Sequence, residues 1–201
     1  MNPITHALTG WCLAETAPRL TNRQRGIAVL ASVAPDLDGM GIVPEFLTRN
    51  TTHPLLWWSE YHHLLGHNLP FAVLVGVAAA IAARTNRALT ASLAFVAVHV
   101  HLLEDIAGSR GPDGYEWPIP YFYPFARWPE LSWSGQWKLN AWQNIVITVV
   151  LLGIVFVLAW RRGYSPLGLI SSRVDRAFVA TLRARFPRTT KDGPGDSGAW
   201  P

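Results

Sequence analysis

The feature that most constrains this chain is an apolar run over residues 143–160 that contains no charged side chain. Trp142 precedes the run, and Arg161 and Arg162 follow it. A helix of roughly 20 apolar residues crosses the hydrocarbon core of a bilayer, and aromatic and basic residues collect at its two ends. The run therefore predicts a transmembrane helix and places the chain among membrane proteins.

The composition agrees with a membrane protein rather than a soluble globule. Hydrophobic residues make up 50% of the chain and charged residues 15%, whereas soluble domains have about 25% charged residues. The net charge of +4 and the ten tryptophans fit the basic loops and interfacial aromatic residues of membrane helices. Membrane lipid explains this basicity better than nucleic acid, so we expect no nucleic-acid partner.

Shorter apolar segments complete an all-α architecture. Residues 69–83 and 89–106 predict a helical hairpin joined by a turn at 84–87. Residues 3–17 and 26–34 predict helices that are each below spanning length, and whether they cross the bilayer fully stays open. The sequence thus predicts a polytopic helical membrane protein with about five transmembrane or half-membrane helices.

Two further segments define the predicted domains. A membrane-embedded domain covers 1–165 and includes an aromatic cap (residues 108–140), too irregular for lipid and too aromatic for a free linker. An interfacial aromatic belt explains the cap; the alternative is substrate contact through Asp113, Tyr115, Glu116, Tyr121 and Tyr123. A basic tail covers 166–201, where 172–186 predicts a surface helix on anionic lipid and the end predicts disorder. A cytosolic partner is the alternative for the tail.

The distribution of basic residues predicts the orientation. Arginines near 19–25, 84–87 and 161–162 join the tail on one side of the membrane, and few basic residues remain opposite. The positive-inside rule makes that side cytoplasmic, with the chain multi-pass in the bacterial inner (plasma) membrane and its tail in the cytoplasm. All seven histidines then fall on the outer half. Imidazole and carboxylate side chains are unfavourable in a bilayer and usually mark functional sites. The alternative is that polar residues simply prefer helix ends.

Several short patterns could supply metal ligands. His101 and Asp105 lie one helical turn apart on one face, and Asp36 and Asp38 follow Pro35 at a spacing that lets both carboxylates face one site. The chain has a single cysteine, Cys12, which excludes a cysteine-rich zinc site. Any metal must therefore be held by imidazole and carboxylate groups.

The histidine turn (residues 62–68) and the first helix add imidazoles. If the turn is helical, His63 and His67 share a face, whereas His62 and His67 are about 140° apart. His6 lies ahead of Gly10, a small residue that lets another helix approach closely; a buried, hydrogen-bonded histidine is the alternative for His6. Together these residues supply about seven ligands, enough for two divalent ions about 3.5 to 4 Å apart, as in phosphoester hydrolysis. Zinc or manganese fits such mixed ligands.

The patterns Asn-Pro-Ile-Thr-His at 2–6, Ala-Pro-Asp-Leu-Asp at 34–38, the histidine turn and His101-x-x-x-Asp105 carry a resemblance. Over about the first half of the chain they resemble the bacterial inner-membrane metal-dependent hydrolase family (YdjM-like), which is more distantly similar to zinc-dependent phospholipase C. The resemblance implies metal ligands at His6, Asp36, Asp38, His62, His67, His101 and Asp105. Because that family usually has Arg after the first histidine of the turn, where this chain has His63, the choice between His62 and His63 stays open.

The sequence therefore predicts a membrane-bound, metal-dependent hydrolase that acts on a phosphoester or similar bond of a lipid-derived or other small-molecule substrate at the outer membrane face. Asp36 and Asp38 are the predicted catalytic carboxylates, and Glu104 is a predicted supporting group. We expect one or two divalent ions, zinc before manganese. The alternatives are a metal transporter or sensor and a non-catalytic protein with a structural metal. The bond cleaved and the oligomeric state are beyond the sequence.

Overall fold

The computed structural model describes residues 1–17, 19–111 and 114–187. Within these residues the regular elements are all helical, which confirms the predicted all-α class. The α-helices are α1 Pro3–Ala14, α2 Asn22–Val33, α3 Ile42–Thr48, α4 Trp57–Tyr61, α5 Leu69–Ala82, α6 Arg87–Gly108, α7 Trp142–Arg162 and α8 Ser172–Arg185. Two 3-10 segments, Pro35–Gly41 and Pro166–Leu169, complete the order, and we call the first of them the acidic turn. The predicted contact residue Asp113 and the predicted disordered end lie outside the described residues.

Two helices, α6 and α7, are long and apolar enough to span a membrane. A third span results if α2 and the segment Pro35–Thr48, which bend by 49° at their junction, cross together. The apolar α5 is shorter, at 14 residues. The described residues thus contain two or three candidate spans, and the larger number expected from the sequence stays a prediction.

Side-chain caps fix where the helices begin. The Asn2 side chain accepts a hydrogen bond from the backbone N–H of Thr5, and Asn68 caps the first turn of α5 in the same way. Thr21 and Gln24 form a capping box, so α2 begins at Asn22 rather than at 26 as the apolar pattern predicts. The caps set His6 in the second turn of α1 and leave the histidine turn immediately before α5.

The chain forms two compact units, and the first extends from Met1 to Val155. Within it α1 packs on α2, α2 on α6, and α5 on α6. Small residues line these contacts: a Cβ atom added at Gly10 would meet the Ser32 hydroxyl at 2.2 Å. Small side chains let membrane helices approach closely. The close approach expected at Gly10 is therefore present.

Beyond Gly108, where α6 ends, the described part of the aromatic cap contains isolated bridges but no helix. Its anchor is Ile119, which is fully buried among Ala72, Val98 and Leu102 of α5 and α6. Tyr121 adds a hydroxyl contact at 2.8 Å to His99 of α6. The cap is thus held against the α5–α6 hairpin.

The second unit begins at Phe156 and contains the end of α7, the Pro166–Leu169 turn and α8. Asp175 of α8 is buried and accepts hydrogen bonds from the backbone and hydroxyl of Ser165, at 2.8 and 2.6 Å. The Trp160 indole donates to the Phe186 carbonyl at 2.7 Å. These bonds hold α8 as the helix that the sequence predicts over 172–186.

Candidate metal centre

Imidazole and carboxylate side chains from four segments of the first unit meet in its interior. Their possible ligand atoms form two groups, and within each group these atoms lie within 4.8 Å of one another. The first group is His6, Asp36, His101 and Asp105, and the second is His63, His67 and Asp105. Asp105 belongs to both groups. It is 2% exposed, and His6 and His67 are fully buried.

The Asp105 carboxylate is the centre of this arrangement. Its Oδ2 atom lies 3.1 Å from His101 Nε2 and 3.3 Å from His67 Nε2, while Oδ1 lies 3.4 Å from His6 Nε2. The Nε2 atoms of His67 and His101 are themselves 3.1 Å apart. Three imidazole Nε2 atoms thus converge on one carboxylate from α1, the histidine turn and α6, as the ligands of a divalent cation do.

Outer hydrogen bonds orient each of these rings. His101 Nδ1–H donates to the Ser32 carbonyl at 2.8 Å, and His6 Nδ1–H donates to Glu104 at 2.6 Å. Glu104 in turn accepts from the Thr9 hydroxyl at 2.6 Å. Metal-binding histidines commonly hold their second nitrogen in this way, because the outer acceptor fixes the tautomer and the ring orientation.

Asp38 and His62 are near the centre but outside both groups. Asp38 accepts from His62 Nδ1–H at 2.8 Å through one oxygen, and from His67 Nδ1–H at 3.1 Å and the Gly66 backbone at 3.0 Å through the other. Both oxygens are therefore engaged by the histidine turn. Among the residues predicted as ligands, the structure brings His6, Asp36, His67, His101 and Asp105 into the groups and places Asp38 behind His67.

His63 joins the second group, although it was not among the predicted ligands. Its ring stacks on His67 with centroids 4.4 Å apart and meets the edge of Trp117 at 4.5 Å. Helical spacing predicts that His63 and His67 share a face, but residues 62–68 form a turn, and His63 has a left-handed backbone with φ of 68°. The predicted proximity of His63 and His67 is therefore confirmed, whereas the helix predicted over this segment is wrong.

The electrostatics of the histidine turn favour positive charge at His67. Burial alone would lower the pKa of His67, but hydrogen bonds and charge from Asp105 and Asp38 outweigh it and raise that pKa to about 9. Burial, with the neighbouring His67, lowers the pKa of His63 well below its usual value. The amino group of Met1 also contacts Asp105, and it donates to the Ser109 hydroxyl at 2.7 Å. The carboxylates of Asp105 and Asp38 thus favour positive charge at His67.

The remaining histidines lie elsewhere. His99 donates to the Phe95 carbonyl at 2.8 Å and contacts Tyr121, which attaches the cap. His53 is exposed on the loop before α4. In the cap, Glu116 accepts from Arg110 at 2.9 Å and so has a structural partner.

The residues present fit a divalent ion. Among the described residues, buried polar atoms without a hydrogen-bond partner include His6 Nε2, Asp36 Oδ2 and His63 Nδ1. Leaving such atoms unpaired is unfavourable by about 1–3 kcal/mol each, and an ion held by imidazole and carboxylate would satisfy those that coordinate it. The donor set of nitrogen and oxygen atoms suits zinc or manganese.

These features define a helical membrane protein with a candidate divalent-metal centre. The sequence model of the YdjM inner membrane protein family matches residues 1–179. The chain therefore belongs to that family, which confirms the resemblance found in its motifs. No curated protein and no solved structure gives a significant match. The more distant similarity to zinc-dependent phospholipase C stays unconfirmed.

Proposed function

We propose that this protein is a metal-dependent hydrolase of the inner membrane that acts on a phosphoester or similar bond. The observation that carries the proposal is the buried convergence of ligand groups on Asp105, which includes nitrogen and oxygen atoms of His6 and Asp36 that have no hydrogen-bond partner among the described residues. Polar groups are placed in the interior of a membrane protein at an energetic cost, and such groups are usually functional. One or two ions of zinc or manganese fit the ligand set.

The exposure of Asp36 supports an open, hydrolytic centre over a closed structural one. Its side chain is 20% exposed, whereas the side chains of His101 and His6 are fully buried. A divalent ion held here would supply an acidified water and a Lewis acid. Asp36 is the carboxylate that would accept a proton in this proposal, because one of its oxygens has no hydrogen-bond partner among the described residues. Asp38 was predicted to share this role, but its contacts suit a residue that positions the His67 ring.

We propose a lipid-derived substrate because of where the centre and the cap lie. His101 and Asp105 lie in the last two turns of α6, a candidate span, so the centre is near one end of that helix. The cap presents exposed apolar side chains, including Phe125 and Trp128 at 86% and 78% exposure. Such aromatic residues favour the membrane interface. A substrate that enters from the lipid surface would therefore meet the cap first.

Two other functions use the same ligands. A metal transporter needs polar groups along its path, but among the described residues the clustered ligands lie at one end of α6, and the central part of α7 carries no charged side chain. A structural metal requires every coordination position to be filled by protein. The exposed edge at Asp36 favours the hydrolase over both alternatives.

The test is hydrolysis by detergent-purified protein loaded with zinc or manganese. We expect cleavage of bis(p-nitrophenyl) phosphate or of a glycerophospholipid in mixed micelles, loss of cleavage with a chelator, and recovery on adding the metal back. Asp36→Ala should lower turnover by about 10²-fold or more. A metal-loaded protein that cleaves neither substrate would contradict phosphoester hydrolysis and favour a structural metal or transport.

The orientation belongs to the proposal as well. We propose a multi-pass chain with its C-terminal tail in the cytoplasm, because arginines cluster beside the predicted inner helix ends and in the tail. A C-terminal fluorescent-protein fusion should fold and fluoresce, whereas a C-terminal alkaline phosphatase fusion should be inactive. The reverse pair of results would place the tail outside.

A further inference from the structure

We infer that His63 is a metal ligand and that, with His67 and Asp105, it holds a second ion beside the one held by His6, Asp36 and His101. The inference rests on the proposed metal-dependent function and deepens it. It assigns a ligand role to His63, where the sequence left the choice between His62 and His63 open. Each ion then has its own set of side chains, and Asp105 belongs to both sets.

The first support is the environment of the His63 ring. The residue is 5% exposed, and its Nε2 atom lies 3.8 Å from Asp105 Oδ2. Its Nδ1 atom is buried and has no hydrogen-bond partner among the described residues. Trp117 of the cap covers the ring edge-on, with centroids 4.5 Å apart. The nitrogen that faces Asp105 is Nε2, and a position beside that buried carboxylate is what a ligand of a shared ion requires.

The second support is the backbone that puts the ring there. His63 adopts φ of 68°, a left-handed conformation that is uncommon outside glycine, although His, Asn and Asp adopt it more often than other residues. The turn is fixed on its far side by Gly66, where an added Cβ would meet the Pro35 carbonyl oxygen at 2.3 Å. The Gly66 N–H also donates to Asp38. The acidic turn thus holds the histidine turn in the geometry that directs His63 inward.

The neighbouring His62 has a different role. Its Nδ1–H donates to Asp38 at 2.8 Å, and its ring stacks on Trp58 with centroids 3.9 Å apart. Trp58 and Asp38 therefore engage His62 from outside the convergent group. His62 supports the turn, and His63 supplies the nitrogen that faces Asp105.

The Asp105 carboxylate joins the two proposed metal sites. Asp105 Oδ1 faces His6 of the first set, and Oδ2 faces both His101 of the first set and His67 of the second, so the two sets meet at this carboxylate. A bridging carboxylate is a common way to hold two ions about 3.5 to 4 Å apart, a spacing that suits displacement at phosphorus. His63 completes the second set to three protein ligands, which leaves room for water or substrate.

The experiment compares metal stoichiometry in His63→Asn and wild-type protein purified in detergent and saturated with zinc. Asn tolerates the left-handed backbone but is too short to reach the ion. We expect roughly two ions per chain in wild type and roughly one in the variant. His53→Asn, at an exposed position, is the matched control and should keep the wild-type value. His63→Gly, which also accommodates the backbone, repeats the test if the Asn variant does not fold.

A second measurement tests directly whether two ions are coupled. Manganese-loaded wild-type protein should give the multiline paramagnetic resonance spectrum of two coupled ions, and His63→Asn should give the spectrum of an isolated ion. Unchanged stoichiometry in a folded His63 variant, or a single uncoupled ion in wild type, would overturn the assignment of His63 while leaving a metal centre in place. A folded wild type that binds no ion would instead overturn the proposed function.

Discussion

At the residue scale, the proposed metal binding depends on hydrogen-bond acceptors that lie behind the histidines. Glu104, Asp38 and the Ser32 carbonyl each take the Nδ1–H of one ring and turn its Nε2 atom towards Asp105. Such outer acceptors typically change metal affinity by 10 to 100-fold when they are removed. Substituting one of these acceptors therefore tests metal binding without deleting a candidate ligand.

Glu104→Ala should weaken zinc binding by about 10 to 100-fold, because His6 loses the acceptor that fixes its ring. The affinity can be measured by competition with a chelating dye. Glu60→Ala, at an exposed position on α4, is the control and should bind zinc as wild type does. Equal affinities in the two variants would show that Glu104 does not act through His6.

Part of the candidate site could be predicted residue by residue, and part could not. His101 and Asp105 were found because both lie on one regular helix, where spacing fixes the face. The role of Asp38 could not be found, since it depends on how the acidic turn packs against the histidine turn. The choice between His62 and His63 could not be made from the sequence, because helical spacing favours His63 whereas the family resemblance implies His62, and the left-handed backbone at His63 is not visible in the spacing.

At the scale of elements, helix packing positions the ligands. Gly10 of α1 rests on Ser32 of α2, and the Ser32 carbonyl holds His101 of α6. The same contact therefore fixes the distance between the helices that supply His6 and His101. A side chain inserted there would disturb both stability and metal binding.

Gly10→Ala should destabilise the protein by about 1–3 kcal/mol, because its Cβ would lie 2.2 Å from the Ser32 hydroxyl. Thermal unfolding in detergent measures the change. Gly153→Ala on α7 is the matched control, since no atom of the described residues lies within 4 Å of an added Cβ there. Adding Ser32→Gly to the Gly10 variant should restore stability in part; a Gly10 variant as stable as wild type would refute the tight contact.

Ile119→Ala should destabilise the cap by about 2–5 kcal/mol, because the side chain is fully buried against α5 and α6. Limited proteolysis of the segment 114–137 should become faster in this variant. Phe125→Ala, at an exposed cap position, should be cleaved at the wild-type rate. Unchanged cleavage of the Ile119 variant would mean that Ile119 does not anchor the cap.

The elements themselves were predictable where hydropathy is continuous. The run at 143–160 and the hairpin at 69–83 and 89–106 correspond to α7, α5 and α6. The short helices α3 and α4 were not predicted, because Pro and Gly residues interrupt that region and its apolar side chains stay exposed. Their positions depend on contacts with the acidic turn rather than on local pattern.

At the scale of the whole molecule, the metal should contribute to folding stability. The ligands come from separated parts of the first unit, so an unfolded chain cannot hold them together. An ion that binds only the folded state at 100 times its dissociation constant stabilises that state by about 2.7 kcal/mol. A chelator should therefore lower the unfolding temperature in detergent, and added zinc should restore it. A temperature that responds to neither addition would mean that no ion binds the folded chain.

Metal content per chain is the most direct test of the central claim, because Asp105 belongs to both groups of ligand atoms. Elemental analysis should compare wild-type protein with Asp105→Asn, both purified in detergent and shown to be folded. We predict zinc or manganese in wild type and its loss in the Asp105 variant. A folded wild type that contains no such ion and takes up none when zinc or manganese is added would contradict the metal centre.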